Sequence, residues 1–293
     1  MNHNTPLVSV CLPIYNGAAF LEEALASLAA QTYPNLELIV SDDQSTDHSL
    51  QIVAAFQAKV GFPIRVFSHE PAGIGANWNH CVQHAQGEYI KFLFQDDVFY
   101  PECISLMVAQ ALRSPKIGMV YCKRDFLYEK TEENSNWIAR YGVLHQRWDG
   151  FIVKDQEIVR GTQMLKDKKL LKFPTNKIGE PTAVLLHRRV FDKVGLFSPH
   201  LKQILDVEYW LRLMKHFDVV YIDQPLIYFR IHEQQASAIN AKNRHELEDY
   251  YFYGSLIQNV FWQLHFEVQK GLFFNYTKFG NQLKKILKLN FLR

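Results

Sequence analysis

The 293-residue chain is 48% hydrophobic and 21% charged, with a formal net charge of +2. Such a composition supports a sizeable core in one or two domains and excludes a polyelectrolyte. The first 240 residues lack the basic excess or stripe of a nucleic-acid binder, so no nucleic-acid partner is expected. No window of about 18 apolar residues occurs, so no segment reads as membrane-spanning. A strand pattern begins almost at the N-terminus, where no signal peptide is read. Cys11, Cys81, Cys103 and Cys122 have neither CxxC nor metal-type spacing and read as reduced core residues of a cytoplasmic protein.

In chain order, residues 7–14 form an apolar run rich in β-branched residues that predicts a buried strand. Pro13 cannot donate to a sheet ladder and is expected to end it. Tyr15 and Asn16 then project from the sheet end. Their aromatic face and amide suit a nucleobase, though the same residues also make a plain turn. Phe20, Leu21, Leu25 and Leu28 mark a helix over 18–30. A second strand, 36–41, runs into Asp42 and Asp43, paired carboxylates that repel unless partnered. They suit a base N–H or ribose hydroxyls, and Ser45–Asp47 reads as a cap of the next helix. A third strand covers 64–67, and Gly73 and Gly75 precede a helix over 74–85 whose free N–H groups suit a phosphate.

The apolar strand 88–94 ends in Gln95, Asp96 and Asp97. Adjacent carboxylates in apolar surroundings are costly without a positive partner, which Mn²⁺ or Mg²⁺ bridged to a diphosphate supplies. Pro101 then opens a further helix. This alternation predicts an α/β fold, a mostly parallel sheet flanked by helices, with ligands at the carboxyl ends of the strands. Residues 128–178, containing Trp137 and Trp148, break the rhythm and read as an insertion. A strand at 181–187, a short helix at 188–194 and an amphipathic helix at 206–216 follow, the last with Val207, Leu211 and Met214 on its buried face. Asp206 at the start of that helix is favoured by the dipole, whether as a cap or as a general base. Residues 219–229 read as a strand with a proline break. Beyond it Arg230 and His232, at alternating positions, point the same way, toward a diphosphate or a metal. Residues 1–238 are read as one domain and 239–293 as a helical extension.

That extension ends distinctively. Residues 268–293 contain no Asp or Glu, carry Lys270, Lys278, Lys284, Lys285, Lys288 and Arg293, and place Phe279, Leu283, Ile286, Leu287 and Asn290 at helical spacing. A cationic amphipathic segment of this kind fits either the plane of an anionic membrane or a terminal helix packed on the domain.

Taken in this order, the clusters resemble the family 2 glycosyltransferases of the GT-A fold over about residues 6–238. Pro13-Ile14-Tyr15-Asn16 is similar to the close of the family's first strand, and Asp42–Asp47 to its acidic run, with Asp42 at the position that reads the base. Asn79, followed by Ala85, Gly87, Glu88 and Tyr89, is similar to the asparagine ahead of the family's A-x-G-E-Y run, with Trp78 where an arginine is common. The D-x-D metal motif reads Phe94-Gln95-Asp96, then Asp97. Its first carboxylate is absent, and Asp96 occupies the metal position. Leu205–Arg212 resembles the helix bearing the catalytic base, with Asp206 as base and Leu205 in place of the preceding acid. Gly179-Glu180-Pro181-Thr182 resembles the acceptor-side segment, and Glu180 and Glu208 are expected on that side.

The resemblance implies a donor site of Pro13, Tyr15, Asn16, Asp42, Asp43, Asn79, Gln95, Asp96 and Arg230, with Mn²⁺ or Mg²⁺ at Asp96, Asp97 and His232. It implies an in-line displacement with inversion, in which Asp206 takes a proton from the acceptor hydroxyl. The implied donor is a nucleotide-sugar, with UDP expected. The implied acceptor is a glycan or lipid-linked saccharide in cell-surface polysaccharide synthesis, handled at the inner face of the membrane. Two other classes compete. One is a binding protein that keeps the nucleotide pocket without turnover, which Phe94 favours. The other is a nucleotidyltransferase, which the lack of Lys or Arg near Tyr15-Asn16-Gly17 disfavours.

Overall fold

The computed structural model describes residues 5–235, 238–240 and 246–286. Among them, nine strands form one sheet in the order β3-β2-β1-β4-β8-β6-β9-β5, with β7 paired to β9. The strands are β1 Val8–Ile14, β2 Leu36–Asp42, β3 Ile64–Ser68, β4 Tyr89–Phe92, β5 Val98–Phe99, β6 Ile117–Tyr128, β7 Ile158–Arg160, β8 Val184–His187 and β9 Asp218–Ile231. β1 runs parallel to β2, from Val8 opposite Leu36 to Ile14 opposite Asp42, and parallel to β4 on its other side. Pro13 therefore does not end its strand, which continues one residue further.

Beyond β4 the sheet is mixed. β8 is antiparallel to both β4 and β6, β9 returns parallel to β6, and β5 and β7 are antiparallel to β9. β9 continues through Pro225, and the register against β6 shifts around Lys123, opposite the proline. A residue without an N–H is accommodated where the ladder is already irregular.

The helices are α1 Ala18–Ala29, α2 Ser49–Gln57, α3 Ile74–His84, α4 Cys103–Ala111, α5 Glu132–Tyr141, α6 Gly161–Met164, α7 Arg189–Val194, α8 Leu205–Met214, α9 Glu246–Asn259, α10 Phe266–Tyr276 and α11 Lys278–Ile286. Alternation along the strands splits the core into two layers. Val8, Val10, Leu12 and Ile14 pack with Leu21, Leu25 and Leu28 of α1 and Ile104 and Met107 of α4. Cys11, Ile39 and Phe92 face Trp78 and Cys81 of α3 and the residues of α8.

Helix α8 was expected to be amphipathic. Every residue of it except Arg212 is buried, because α9 packs against its outer side. Phe252, Leu256, Val260, Leu264, Val268 and Leu272 join the core that contains Trp210 and Leu211. Through residue 272, then, the predicted extension belongs to the same core as the preceding domain. Past it, Phe279 and Ile286 of α11 are exposed. Leu287, Lys288, Asn290 and Arg293 lie outside the described residues. Among the described residues no helix is long and apolar enough to cross a membrane.

Candidate active site

The carboxyl ends of β1, β2 and β4 are tied together by side chains that take over where the ladders stop. The Tyr15 N–H donates to Gln95 Oε1 at 2.9 Å, and Gln95 Nε2 donates back to the Tyr15 carbonyl at 3.2 Å. A Cβ at position 17 would lie 2.3 Å from Gln95 Oε1, so any larger residue there must push the Gln95 amide away from Tyr15. Asn16 adopts a left-handed φ of 48°. Its N–H donates to Ser45 Oγ at 3.0 Å, and its Oδ1 accepts the Thr46 N–H at 2.8 Å. Buried Asp42 accepts the Ser45 N–H with both oxygens at 3.2 Å. Asp47 serves two helix starts at once, accepting from Ser49 N–H at 2.9 Å and Ala18 N–H at 3.0 Å.

This frame leaves two groups uncommitted. The Tyr15 ring is 55% exposed. Asp43 Oδ1 is buried and accepts no hydrogen bond, with His69 Nδ1 at 3.6 Å. Burial pushes the Asp43 carboxyl upward, as does Asp42, against the pull of His69. An aromatic face beside an unsatisfied acceptor is a crevice suited to a flat heterocycle bearing an N–H. His69 was not picked out from sequence, since a histidine at a strand end carries no signal of its own.

At the end of β4 the two aspartates separate in role. Asp96 Oδ2 meets His232 Nε2 at 3.0 Å, each side chain one-fifth exposed. Asp97 is 1% exposed, and its Oδ1 accepts the Arg230 N–H at 3.1 Å. Burial and the adjacent Asp96 push its carboxyl well above the ordinary range. Asp97 thus braces β9 through Oδ1, while its buried Oδ2 has no hydrogen-bond partner. Among the described residues no group of three His, Cys, Asp or Glu is arranged to hold a metal. Asp96 and His232 are a two-ligand set, which suits a cation whose remaining positions are filled by phosphate oxygens and water.

Arg230 and His232 do point the same way, both lying against Phe20, at 4.6 and 4.8 Å from its ring. Arg230 nonetheless departs from its expected task. Its Nε donates to the Asp96 carbonyl at 2.9 Å and its Nη2 is bonded to Glu23, so it buckles α1 to the turn that carries Asp96. Asn79, expected near the donor, is also taken. Its Nδ2 donates to the Phe197 carbonyl at 2.9 Å and its Oδ1 accepts the Phe197 N–H at 2.9 Å, fixing α3 to the loop before α8. Phe94, in place of the first carboxylate, stacks on Trp78 at 5.1 Å and 26°.

The third part of the edge is built around Asp206 in the first turn of α8. It is buried, its Oδ2 accepts from Asn176 Nδ2 at 2.8 Å and its Oδ1 accepts the Val207 N–H at 2.7 Å. Burial and the charge of Glu180 push its carboxyl up to about 7, against those hydrogen bonds. Glu180 is held by Arg124 of β6, whose Nη1 donates to Oε1 at 2.6 Å. The charge of Glu180 raises the carboxyls of both Asp97 and Asp206. Gly179, at φ 123°, presents its carbonyl to Trp210 Nε1 at 3.1 Å and so aligns the Glu180 segment with α8. Asn176 escaped the sequence reading. Its Oδ1 closes a turn by accepting from Ile178 and Gly179 N–H, a task readable from sequence, but its approach to Asp206 is tertiary.

Glu208 does not face an acceptor. It is 1% exposed, bound by Arg212 Nε at 2.6 Å and Nη2 at 2.9 Å, and joined to Ser255 of α9. Arg212 also holds the Leu196 carbonyl at 2.9 Å, so the pair clamps α8, α9 and the 194–196 loop. A buried carboxylate so paired is structural.

One edge of a GT-A-type sheet thus offers a base crevice, a cation-competent pair and a buried carboxyl poised near neutrality, the design of a glycosyltransferase. The sequence profile of glycosyl transferase family 2 matches residues 9–195, more than half of the chain, and this chain belongs to that family. It is similar to an uncharacterized protein of Mycobacterium tuberculosis (strain CDC 1551 / Oshkosh), 32% identical over 227 residues, 77% of this chain and 67% of the relative. It is 30% identical over 256 residues to an uncharacterized glycosyltransferase of Rickettsia typhi (strain ATCC VR-144 / Wilmington), covering 85% of this chain and 71% of that one. Among solved structures, S. aureus TarS 1-349 in complex with UDP-GlcNAc aligns with a TM-score of 0.62 at 19% identity, over 96% of this chain and 70% of that one. The mannosyltransferase PcManGT from Pyrobaculum calidifontis, in complex with GDP-Man and Mn²⁺, aligns at 0.61 and 17% identity, over 87% and 65%.

The neighbours of Asp206 set opposite expectations for its titration. Glu180→Gln removes a repelling charge and lowers the Asp206 pKa below about 7, whereas Asn176→Ala removes a donor to the charged form and raises it. Carboxyl-carbon NMR titration of the three proteins checks both directions; shifts of the same sign in both variants contradict the assignment.

Proposed function

We propose that the enzyme transfers a sugar from a nucleoside-diphosphate donor, with UDP preferred, to an acceptor hydroxyl with inversion at the anomeric carbon. The observation that carries this reading is Asp206, a buried carboxyl near pH 7 held in place by Asn176 on the edge that also bears Asp96 and His232. A group titrating near the working pH is suited to take a proton as the hydroxyl attacks. The exposed Tyr15 ring and unpaired Asp43 oxygen supply the base crevice, and the Tyr15–Gln95 and Asn16–Ser45 bonds hold it open. Asp96 and His232 are the residues that would hold Mn²⁺ or Mg²⁺, which when bound neutralises charge on the departing diphosphate. The two structural neighbours, one in complex with UDP-GlcNAc and the other with GDP-Man and Mn²⁺, support a nucleotide-sugar and a divalent cation. Positioning donor and acceptor along one rigid sheet edge supplies much of the remaining acceleration.

We further propose that the acceptor is a glycan or lipid-linked saccharide of surface polysaccharide synthesis, met at the inner face of the membrane. Phe279 and Ile286 of α11 are exposed beside Lys278, Lys284 and Lys285, a pattern suited to an anionic bilayer surface.

Three outcomes test these readings. Asp206→Asn keeps donor binding and loses about 10²–10⁴-fold in transfer, measured by release of nucleoside diphosphate in the presence of acceptor; turnover near wild type removes Asp206 from the role. Asp96→Ala abolishes the Mn²⁺-dependent part of nucleotide binding in calorimetry, and unchanged binding refutes the metal assignment. The double substitution Phe279→Ser/Ile286→Ser lowers co-sedimentation with anionic liposomes, whereas equal sedimentation argues against membrane docking through α11.

A further inference from the structure

We propose that the insertion between β6 and β8 contains an acceptor subsite for a phosphate or diphosphate ester, a reading that rests on the transfer reaction proposed above. A cavity of about 400 Å³ opens on this face, lined by Asn136, Ala139, Arg140, Arg147, Phe173 and Pro174. Its chemistry is specific. Arg140 and Arg147 are exposed, and no ion pair to a carboxylate joins either guanidinium among the described residues. The nearby carboxylates are engaged elsewhere, since Asp149 pairs with Lys169 at 2.9 Å and Asp167 accepts the backbone N–H groups of Asp149 and Lys169. Arg147 Nη2 donates to the Arg140 carbonyl at 3.4 Å, which ties the two arginines together at the cavity, and neither guanidinium is neutralised by a carboxylate there, so the pair matches the oxygens of a phosphate or diphosphate.

The other wall is apolar. Phe173 is 66% exposed and meets Tyr141 edge-on at 5.4 Å, giving a ring face on which a pyranose can rest.

The position of the cavity ties it to the base. Phe173 precedes Asn176 by three residues, a span of at most about 10 Å, and Asn176 is the donor that holds Asp206. On the opposite side the Tyr141 carbonyl accepts from Arg124, which also holds Glu180. Both walls are thus continuous with the immediate neighbours of Asp206. One acceptor residue can place its phosphate between the arginines and its hydroxyl at the base. The phosphate has two sources, a soluble phosphorylated saccharide or a diphosphate-linked lipid, which share this chemistry.

The test uses the full chain with UDP saturating and EDTA present, so that the donor side is filled and the Asp96–His232 pair holds no cation. Inorganic pyrophosphate is the soluble probe in calorimetry. Phosphatidylcholine vesicles containing phosphatidic acid are the lipid probe, tested in the Phe279→Ser/Ile286→Ser background to remove the contribution of α11. Arg140→Gln/Arg147→Gln is expected to weaken at least one probe by about tenfold or more while UDP affinity stays within about twofold. Loss of pyrophosphate binding alone assigns the soluble source, loss of vesicle binding alone the lipid source, and loss of both the phosphate group itself. If both probes bind the double variant as they bind the wild-type arginines, or bind neither protein, the subsite is refuted. If the wild type, assayed separately with Mn²⁺ in place of EDTA, fails to bind UDP or to release it from UDP-sugars, the transfer reading itself fails, a result distinct from failure of the subsite.

Discussion

Taking the carboxyl of Asp206 out of water is the constraint around which the active edge is organised. A carboxylate in a helix start surrounded by Val207, Trp210 and Leu211 is costly to ionise. The fold does not simply neutralise it. Asn176 and the Val207 N–H favour the charge, burial and Glu180 oppose it, and the carboxyl settles near 7. The groups that set this balance come from different elements, Asn176 from the insertion and Glu180 from the segment before β8, and Arg124 of β6 holds Glu180 in place. Correct protonation therefore requires that the mixed half of the sheet be assembled, not merely that Asp206 be present.

The parallel half performs a different task by a similar route. β1, β2 and β4 end together, and their last backbone groups are satisfied by Asn16, Ser45, Asp42 and Gln95 rather than by further ladder. These bonds keep the crevice rigid while leaving one ring face and one carboxylate oxygen unused. A ligand N–H reaching Asp43 Oδ1 from the Tyr15 face would displace no internal hydrogen bond of that oxygen.

The legible part of the sequence was the parallel half, because each apolar run ended abruptly in a polar cluster and the strand ends locate a ligand edge whatever the details. The same rule locates Asp96 just past β4 and His232 just past β9, where the two side chains meet. Less legible was which way a polar side chain turns once another element arrives. Asn79 meets Phe197 from a loop more than a hundred residues later, and Arg230 meets Glu23 of α1. Glu208 was expected on the acceptor side by resemblance; α9, whose Ser255 reaches it, covers that side of α8. Asn176 lay in a segment without periodicity, where only its local turn was readable.

The stack of Phe94 on Trp78 has an electrostatic consequence. Where relatives with an intact D-x-D place a charged group, this protein presents a hydrocarbon wall. Like charges about 5 Å apart repel by roughly 3 kcal/mol at an effective dielectric of 20. Without that carboxylate, an anionic group arriving at this strand end meets a ring rather than a second negative charge beside Asp96.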